Sequence, residues 1–193
     1  MHTRASLLCR IRDPRDARAW DEFVRIYAPL LLGYGRRRGL QEADAADIAQ
    51  DTLRNVVRAA PGFVYDQARG SFRGWLFTLA RNQIRKFATR FDGRGAGGSD
   101  VRRVLEAEPD PAADRDDWDR EYRLALFHRA ADRVRPDFRG PTWDAFWRTA
   151  VDGEDPAAVA AALGLSTGAV YVARSRVTSR IRQEVRALDG DEP

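Results

Sequence analysis

From Trp20 onward, large apolar residues recur at intervals of three and four: Trp20, Phe23, Tyr27, Leu30 and Tyr34. That spacing places them on one side of a helix running from about Ala19 to Arg36, and Pro29 is expected to bend it. A second helix is predicted over about Gln41 to Ala60. Ala46, Ala49, Leu53, Val56 and Ala60 share one face, Asp44, Asp47 and Asp51 share another, and Pro61 and Gly62 stop it. After a loop from Gly62 to Ser71, with Ser71 as an N-cap, a third helix carries Leu76, Leu79 and Ile84 near helical spacing with Phe72, Trp75, Phe77 and Phe87. No stretch shows the sustained alternation of a strand, so no strands are expected.

The pattern then breaks. Residues 92–117 hold GRGAGG, Pro109 and Pro111 and little periodicity, which predicts a linker of mixed flexible and acidic character. The block beyond it is helical again and ends in a strong local signal. Pro156 to Leu163 reads as a short Ala-rich helix, Gly164 to Ser166 as a tight turn, and Thr167 to about Leu188 as a longer helix. Glycine suits a left-handed turn position, Ser166 can cap the second helix, and Val159, Leu163, Leu165 and Val170 would pack the pair together. The arrangement is a helix-turn-helix. The predicted class is therefore all-α, with two small helical domains over residues 1–91 and 118–188, a flexible linker over 92–117 and a short tail over 189–193.

Composition narrows the function. The 193 residues are 44% hydrophobic, enough to build cores. The formal net charge of +4 hides a polarity: residues 1–91 hold 17 basic and 9 acidic side chains, whereas residues 92–160 hold 11 and 16. Positive charge is concentrated in the N-terminal half. Cys9 is the only cysteine, so no intramolecular disulfide or cysteine-rich zinc site can form. No apolar run approaches the roughly 20 residues of a membrane span, and the N-terminus lacks a signal-peptide core, so a cytoplasmic protein is expected. His2 and His128 are the only imidazoles, and neither has triad or metal-ligand spacing. No catalytic residue, metal or cofactor is expected.

Two segments carry binding chemistry. Between positions 69 and 90 the chain holds Arg69, Arg73, Arg81, Arg85, Lys86 and Arg90 with no acidic residue, interleaved with four aromatic rings. Basic side chains grip phosphates in a salt-dependent way, and flat rings stack on unpaired bases. The alternative is that some rings are core and the charge is a solvated face. In the C-terminal helix, Thr167, Tyr171, Arg174, Ser175, Arg176, Thr178 and Arg182 are candidates for a major-groove surface. Arg174 and Arg176 lie about 200° apart around a helix. Tyr171, Arg174, Ser175 and Thr178 share one side, which assigns Arg174 to base reading and Arg176 to the DNA backbone. Plain helical hairpins take the same shape, so the two segments are most specific together.

The order of an acidic two-helix segment, the block SFRGWLFTLARN, a linker and a C-terminal GLSTGAVYVARSRV helix-turn-helix resembles the bacterial RNA polymerase sigma factors of the extracytoplasmic-function type. The resemblance implies core RNA polymerase and promoter DNA as partners, and in many relatives an anti-sigma factor, which no residue here reports. It assigns the block DAADIAQDTL to polymerase docking, with Asp44, Asp47, Gln50 and Asp51 facing the clamp. It assigns the loop from Gly62 to Ser71 and the helix after it to the −10 strand, with Phe72, Arg73, Trp75, Arg81 and Asn82 at the matching places and Arg85 and Lys86 in the same basic run. The C-terminal helix would read the −35 element, and Trp143, Phe146 and Trp147 would form that domain's core. Tyr171 and Ala173 stand where the family often has basic residues, and Arg174 where it usually has an apolar one. An ordinary helix-turn-helix regulator would bind duplex DNA without a docking helix. A metal-dependent nuclease would need Asp44, Asp47 and Asp51 to converge on Mg²⁺.

Overall fold

The computed structural model describes residues 5–62, 71–92 and 110–190. All regular structure among them is helical: α1 (Ala5–Arg10), α2 (Ala17–Arg37), α3 (Glu42–Ala59), α4 (Phe72–Asp92), α5 (Pro111–Val134), α6 (Gly140–Ala150), α7 (Pro156–Leu163) and α8 (Thr167–Asp189), with 3-10 turns at Ala60–Gly62 and Arg135–Asp137. The chain divides into two compact units, one ending at Leu126 and the other beginning at Phe127. That boundary falls inside α5, well beyond the linker read from the sequence. Residues 93–109 lie outside the described residues, but 111–117 are helical.

In the first unit, Asp16 caps α2 by accepting from the Ala19 amide at 2.9 Å. The same carboxylate takes two hydrogen bonds from Arg10, which, with the Ala19 bond, hold it below the usual carboxylate range. The helix runs through Pro29 without a break and buries Phe23, Ile26, Tyr27, Leu30, Leu31 and Tyr34 on its core side. Gly39, at φ 83°, turns the chain into α3. Helix α3 packs on both α2 and α4. Its core face is Ala45, Ile48, Ala49, Thr52 and Val56. Ala46 and Leu53, expected in that face, are half-buried on its flank. Gly35 makes the close crossing possible, because a Cβ there would lie 3.1 Å from the Cβ of Ala45.

Ser71 starts α4, accepting from the Gly74 amide at 3.0 Å. Phe72, Leu76, Phe77, Ala80, Ile84 and Ala88 form its buried side. Helix α5 completes this unit. Asp114, Trp118, Tyr122 and Leu126 recur at every fourth position and are all buried. The Trp118 ring meets Tyr34 edge-on at 5.2 Å and Phe77 at 5.5 Å, while Tyr122 stacks on Tyr27 at 6.3 Å.

The second unit is built on the last turns of α5 with α6, α7 and α8. Trp143 and Phe146 of α6 are buried, and Trp147 is half-buried between Trp143 and Phe127. Asp155 caps α7 through the Ala158 amide at 2.9 Å, and Ser166 caps α8 through the Ala169 amide at 3.1 Å. Gly164 takes the left-handed conformation at φ 65°, ψ 32°. Ala145, Val159, Ala160, Val170 and Ala173 make the local core, with Leu163 and Leu165 against it. No single helix among the described residues is long and apolar enough to cross a membrane. The bent pair α7–α8 passes on length and composition, and its Val159, Val170 and Val177 are buried in this unit.

Glu184 ties α8 to its surroundings, accepting from Arg133 at 2.9 Å and from Arg180 at 3.3 Å. Burial works to raise this carboxyl, but the two hydrogen bonds outweigh it and hold it below its ordinary value of 4.5. A lowered native value means stability that is present above the unfolded value and lost as pH falls through the native one. Acid titration below pH 4.5 should therefore destabilise the second unit, and Glu184→Gln should flatten that part of the thermal-midpoint profile. In the first unit, Gly35→Leu should lower the urea midpoint by a loss of about 1 to 3 kcal/mol, because a larger side chain has no room beside Ala45.

Candidate nucleic-acid interface

Helix α3 presents its acidic residues away from the core. Asp47 and Gln50 are exposed, Asp44 and Asp51 are half-buried, and Asp51 pairs with Arg54 at 2.5 Å. At 100° per residue the three aspartates fall within about 60° of one another. Among the described residues, no three carboxylates, imidazoles or thiolates come together to hold a metal ion.

Helix α4 divides the expected strand-binding set in two. Asn82, Arg85 and Lys86 are exposed, and Trp75 is half-buried beside them. Trp75 borders a small apolar cavity with Leu8, Ile11, Val56 and Phe72. The other members turn inward. Phe72 is a correction: at 2% exposed it packs on Phe23 at 5.8 Å and Tyr27 at 5.6 Å, so its ring is core rather than a platform for bases. Helical phase explains this, because Phe72 is one turn before the buried Leu76. The loop after Gly62, through residue 70, lies outside the described residues.

Arg73 and Arg81 face α5. Arg73 lies 3.3 Å from Asp119, with its guanidinium over the Tyr122 ring at 4.7 Å. Arg81 lies 3.4 Å from Asp114. Asp114 is fully buried, accepts from the Tyr34 hydroxyl at 2.8 Å and has Arg38 at 3.9 Å. Burial, then the carboxylate it donates to, pushes the Tyr34 hydroxyl well above its usual range. Arg37 adds a hydrogen bond to Glu121 and a contact to Asp117 at 3.4 Å. Asp114 was missed in the sequence because it sits in the stretch read as linker. Its four-residue spacing to Trp118 and Tyr122 was the available signal.

In the second unit, α7 and α8 cross at 102° around the turn Gly164–Ser166, within the range of helix-turn-helix pairs. Thr167, Tyr171, Arg174, Ser175, Arg176 and Arg182 are exposed, and Thr178 is half-buried. Tyr171, Arg174, Ser175, Thr178 and Arg182 do share a side: they line one groove of about 960 Å³, together with Phe127, Phe146 and Val151. Arg176 and Thr167 are outside it. Val170, Ala173, Val177 and Ile181 face the core, so Val172, Ser175 and Ser179 are outermost on α8 and Arg176 flanks them. Arg180 is engaged with Asp137 at 3.2 Å and with Glu184.

Comparison with known proteins matches these elements. Residues 23–94, which take in most of α2, all of α3 and α4, fit the sigma-70 region 2 family. The chain is 29% identical over 184 residues to the ECF RNA polymerase sigma factor RpoE of Cereibacter sphaeroides, covering 93% of each. It is 30% identical over 174 residues to the ECF RNA polymerase sigma factor SigE of Mycolicibacterium smegmatis, covering 87% of this chain and 60% of that one. Region 2 in its first unit and a likeness extending along nearly its whole length support an extracytoplasmic-function sigma factor of bacterial RNA polymerase.

Proposed function

We propose that this sigma factor docks on core RNA polymerase through α3, holds the unpaired −10 strand on the outward side of α4 and reads the −35 duplex with α8. One observation carries the reading: a basic helix, free of acidic residues from 72 to 90, whose exposed row is Asn82, Arg85 and Lys86, shares a chain with a capped helix-turn-helix. Unpaired strand and duplex are two different ligands, and a promoter offers both. An acidic face on a rigid helix suits a basic protein surface and repels DNA, which supports α3 as the polymerase contact. Opening costs a few kcal/mol per unstacked base, and stacking with phosphate contacts offsets it, so initiation here is a binding process that needs no catalytic group on the sigma factor.

On α8 the geometry favours a division of labour opposite to the one read from the sequence. Arg174 lines the groove that Phe127 and Phe146 share, on the flank of α8 nearer its core side, while Arg176 is outside that groove and stands beside the outermost row. Arg176 is then the base-reading arginine. Its replacement by Ala should cost about 1 to 3 kcal/mol and relax preference at one −35 position. Arg174→Ala should leave base preferences intact. Run-off transcription from a −35-randomised library, with each variant and core polymerase, separates the outcomes, and the reverse result restores Arg174.

The docking assignment has a severe test in charge reversal. Asp47→Arg with Asp51→Arg should abolish co-purification with core polymerase and leave far-UV circular dichroism unchanged, since neither side chain is buried. Unaltered co-purification would remove α3 from the interface.

A further inference from the structure

The seam between α5 and the α2–α4 surface has an unusual composition. Beneath α5 lie four arginines, Arg37, Arg38, Arg73 and Arg81, set among the rings of Tyr27, Tyr34 and Phe77. Cations alternating with flat rings are the chemistry of a single-strand nucleic-acid site. What covers them is an acidic helix face with rings of its own. Asp114, Asp117, Asp119 and Glu121 meet the guanidinium groups where phosphates would, and Trp118 and Tyr122 meet the rings where bases would.

The seam is also incompletely satisfied. Among the described residues, the buried side-chain atoms without a hydrogen-bond partner are Arg73 Nη1, Asp114 Oδ2 and Trp118 Nε1, and all three lie in it. Buried polar atoms left unpaired cost free energy that a permanent core normally avoids.

We propose that the first half of α5 is a gate that occupies, in cis, a cryptic single-strand nucleic-acid site formed by Arg37, Arg38, Arg73 and Arg81 with Tyr27, Tyr34 and Phe77. Strand and gate compete for the same arginines. The site adjoins the outward row of α4, and this proposal rests on α4 being the strand-holding helix. Displacement of the gate extends the strand's track from Asn82, Arg85 and Lys86 around the helix to Arg81 and Arg73. Gly33 of α2 lies against Glu121: a Cβ there would come within 2.1 Å of the Glu121 carboxylate, so a side chain at this position displaces that carboxylate from Arg37.

The test uses the full chain and a fluorescein-labelled 15-nucleotide single-stranded DNA of mixed sequence. Gly33→Leu pushes the Glu121 carboxylate off Arg37 without replacing an arginine, and Asp119→Asn loosens α5 from the half-buried edge. Both should tighten strand binding, Gly33→Leu by about tenfold. In the unaltered chain, added strand should speed hydrogen exchange of the 114–126 amides, a change that a purely structural α5 would not show. Arg73→Gln with Arg81→Gln should cancel the gain in the Gly33→Leu chain. Equal affinities for all chains, with exchange of 114–126 unmoved by the strand, would overturn the gate. Loss of the outward row is a separate outcome. If Asn82→Ala and Lys86→Gln leave strand affinity unchanged while Gly33→Leu still raises it, the outward-row reading fails and the gate stands. Absence of strand binding in every chain removes both.

Discussion

A buried carboxylate organises the first half of this molecule. Asp114 is 1% exposed, and an isolated charge there would be costly by several kcal/mol. It is tolerated because the Tyr34 hydroxyl donates to it and Arg38 and Arg81 approach it from α2 and α4. Those groups fix where α5 begins to pack. Trp118 and Tyr122, one and two turns later, then have no choice but to fall onto Tyr34, Phe77 and Tyr27. The same constraint divides α4. Arg73 and Arg81 turn toward α5, and Asn82, Arg85 and Lys86 are exposed on the other side.

The second unit depends on backbone chemistry more than on charge. Two caps and one left-handed glycine set the angle between α7 and α8. A short apolar cluster then locks the angle, because Val159 and Ala160 from α7 and Val170 and Ala173 from α8 close on Ala145 of α6. Once that side of α8 is committed, the phase of every other residue follows. Ala173 is buried, and its small size lets α8 lie close to α7. Val172, Ser175 and Ser179 are pushed outermost by the same geometry. Arg174 lines the groove beside them, together with Phe127 and Phe146.

Much of this was legible in the sequence, for identifiable reasons. Large residues at helical spacing, as in Trp20 to Tyr34, leave little freedom of phase, and the capped turn at Gly164–Ser166 is dictated by residue type. The polar sides were less legible. In α3 the choice between Ala46 and Ala45 as the core position is between two identical residues, and the tie is broken by Gly35 admitting Ala45 at close range. Thr52 looks polar but satisfies its hydroxyl on the Ile48 carbonyl at 2.8 Å, which allows it to be buried. The linker reading failed at its C-terminal end because an aspartate in an acidic, proline-flanked run gives no local sign that it will be buried. Its partners Tyr34 and Arg81 are 80 and 33 positions away. Phe72 and Arg73 share that problem: a ring and a cation on a basic helix look like a ligand site until the partner element is placed.

The arginines of the first unit show why charge counts along a chain do not locate a binding face. Residues 1–91 carry a clear excess of positive charge, yet much of it is already spoken for. Arg10 is on Asp16, Arg36 on Glu42, Arg37 on Glu121 and Asp117, and Arg73 and Arg81 on α5. Exposed pairs of this kind are each worth at most about 1 kcal/mol and are screened by salt, so they hold arginines in place without removing them from competition. The pairs under α5 differ, because they are partly shielded from water and joined to buried rings. A polyanion can take an arginine from Asp16 or Glu42 by exchange at the surface. To take Arg73 or Arg81 it must move a helix, and for those two residues access to nucleic acid is a conformational equilibrium of α5 as well as a matter of charge.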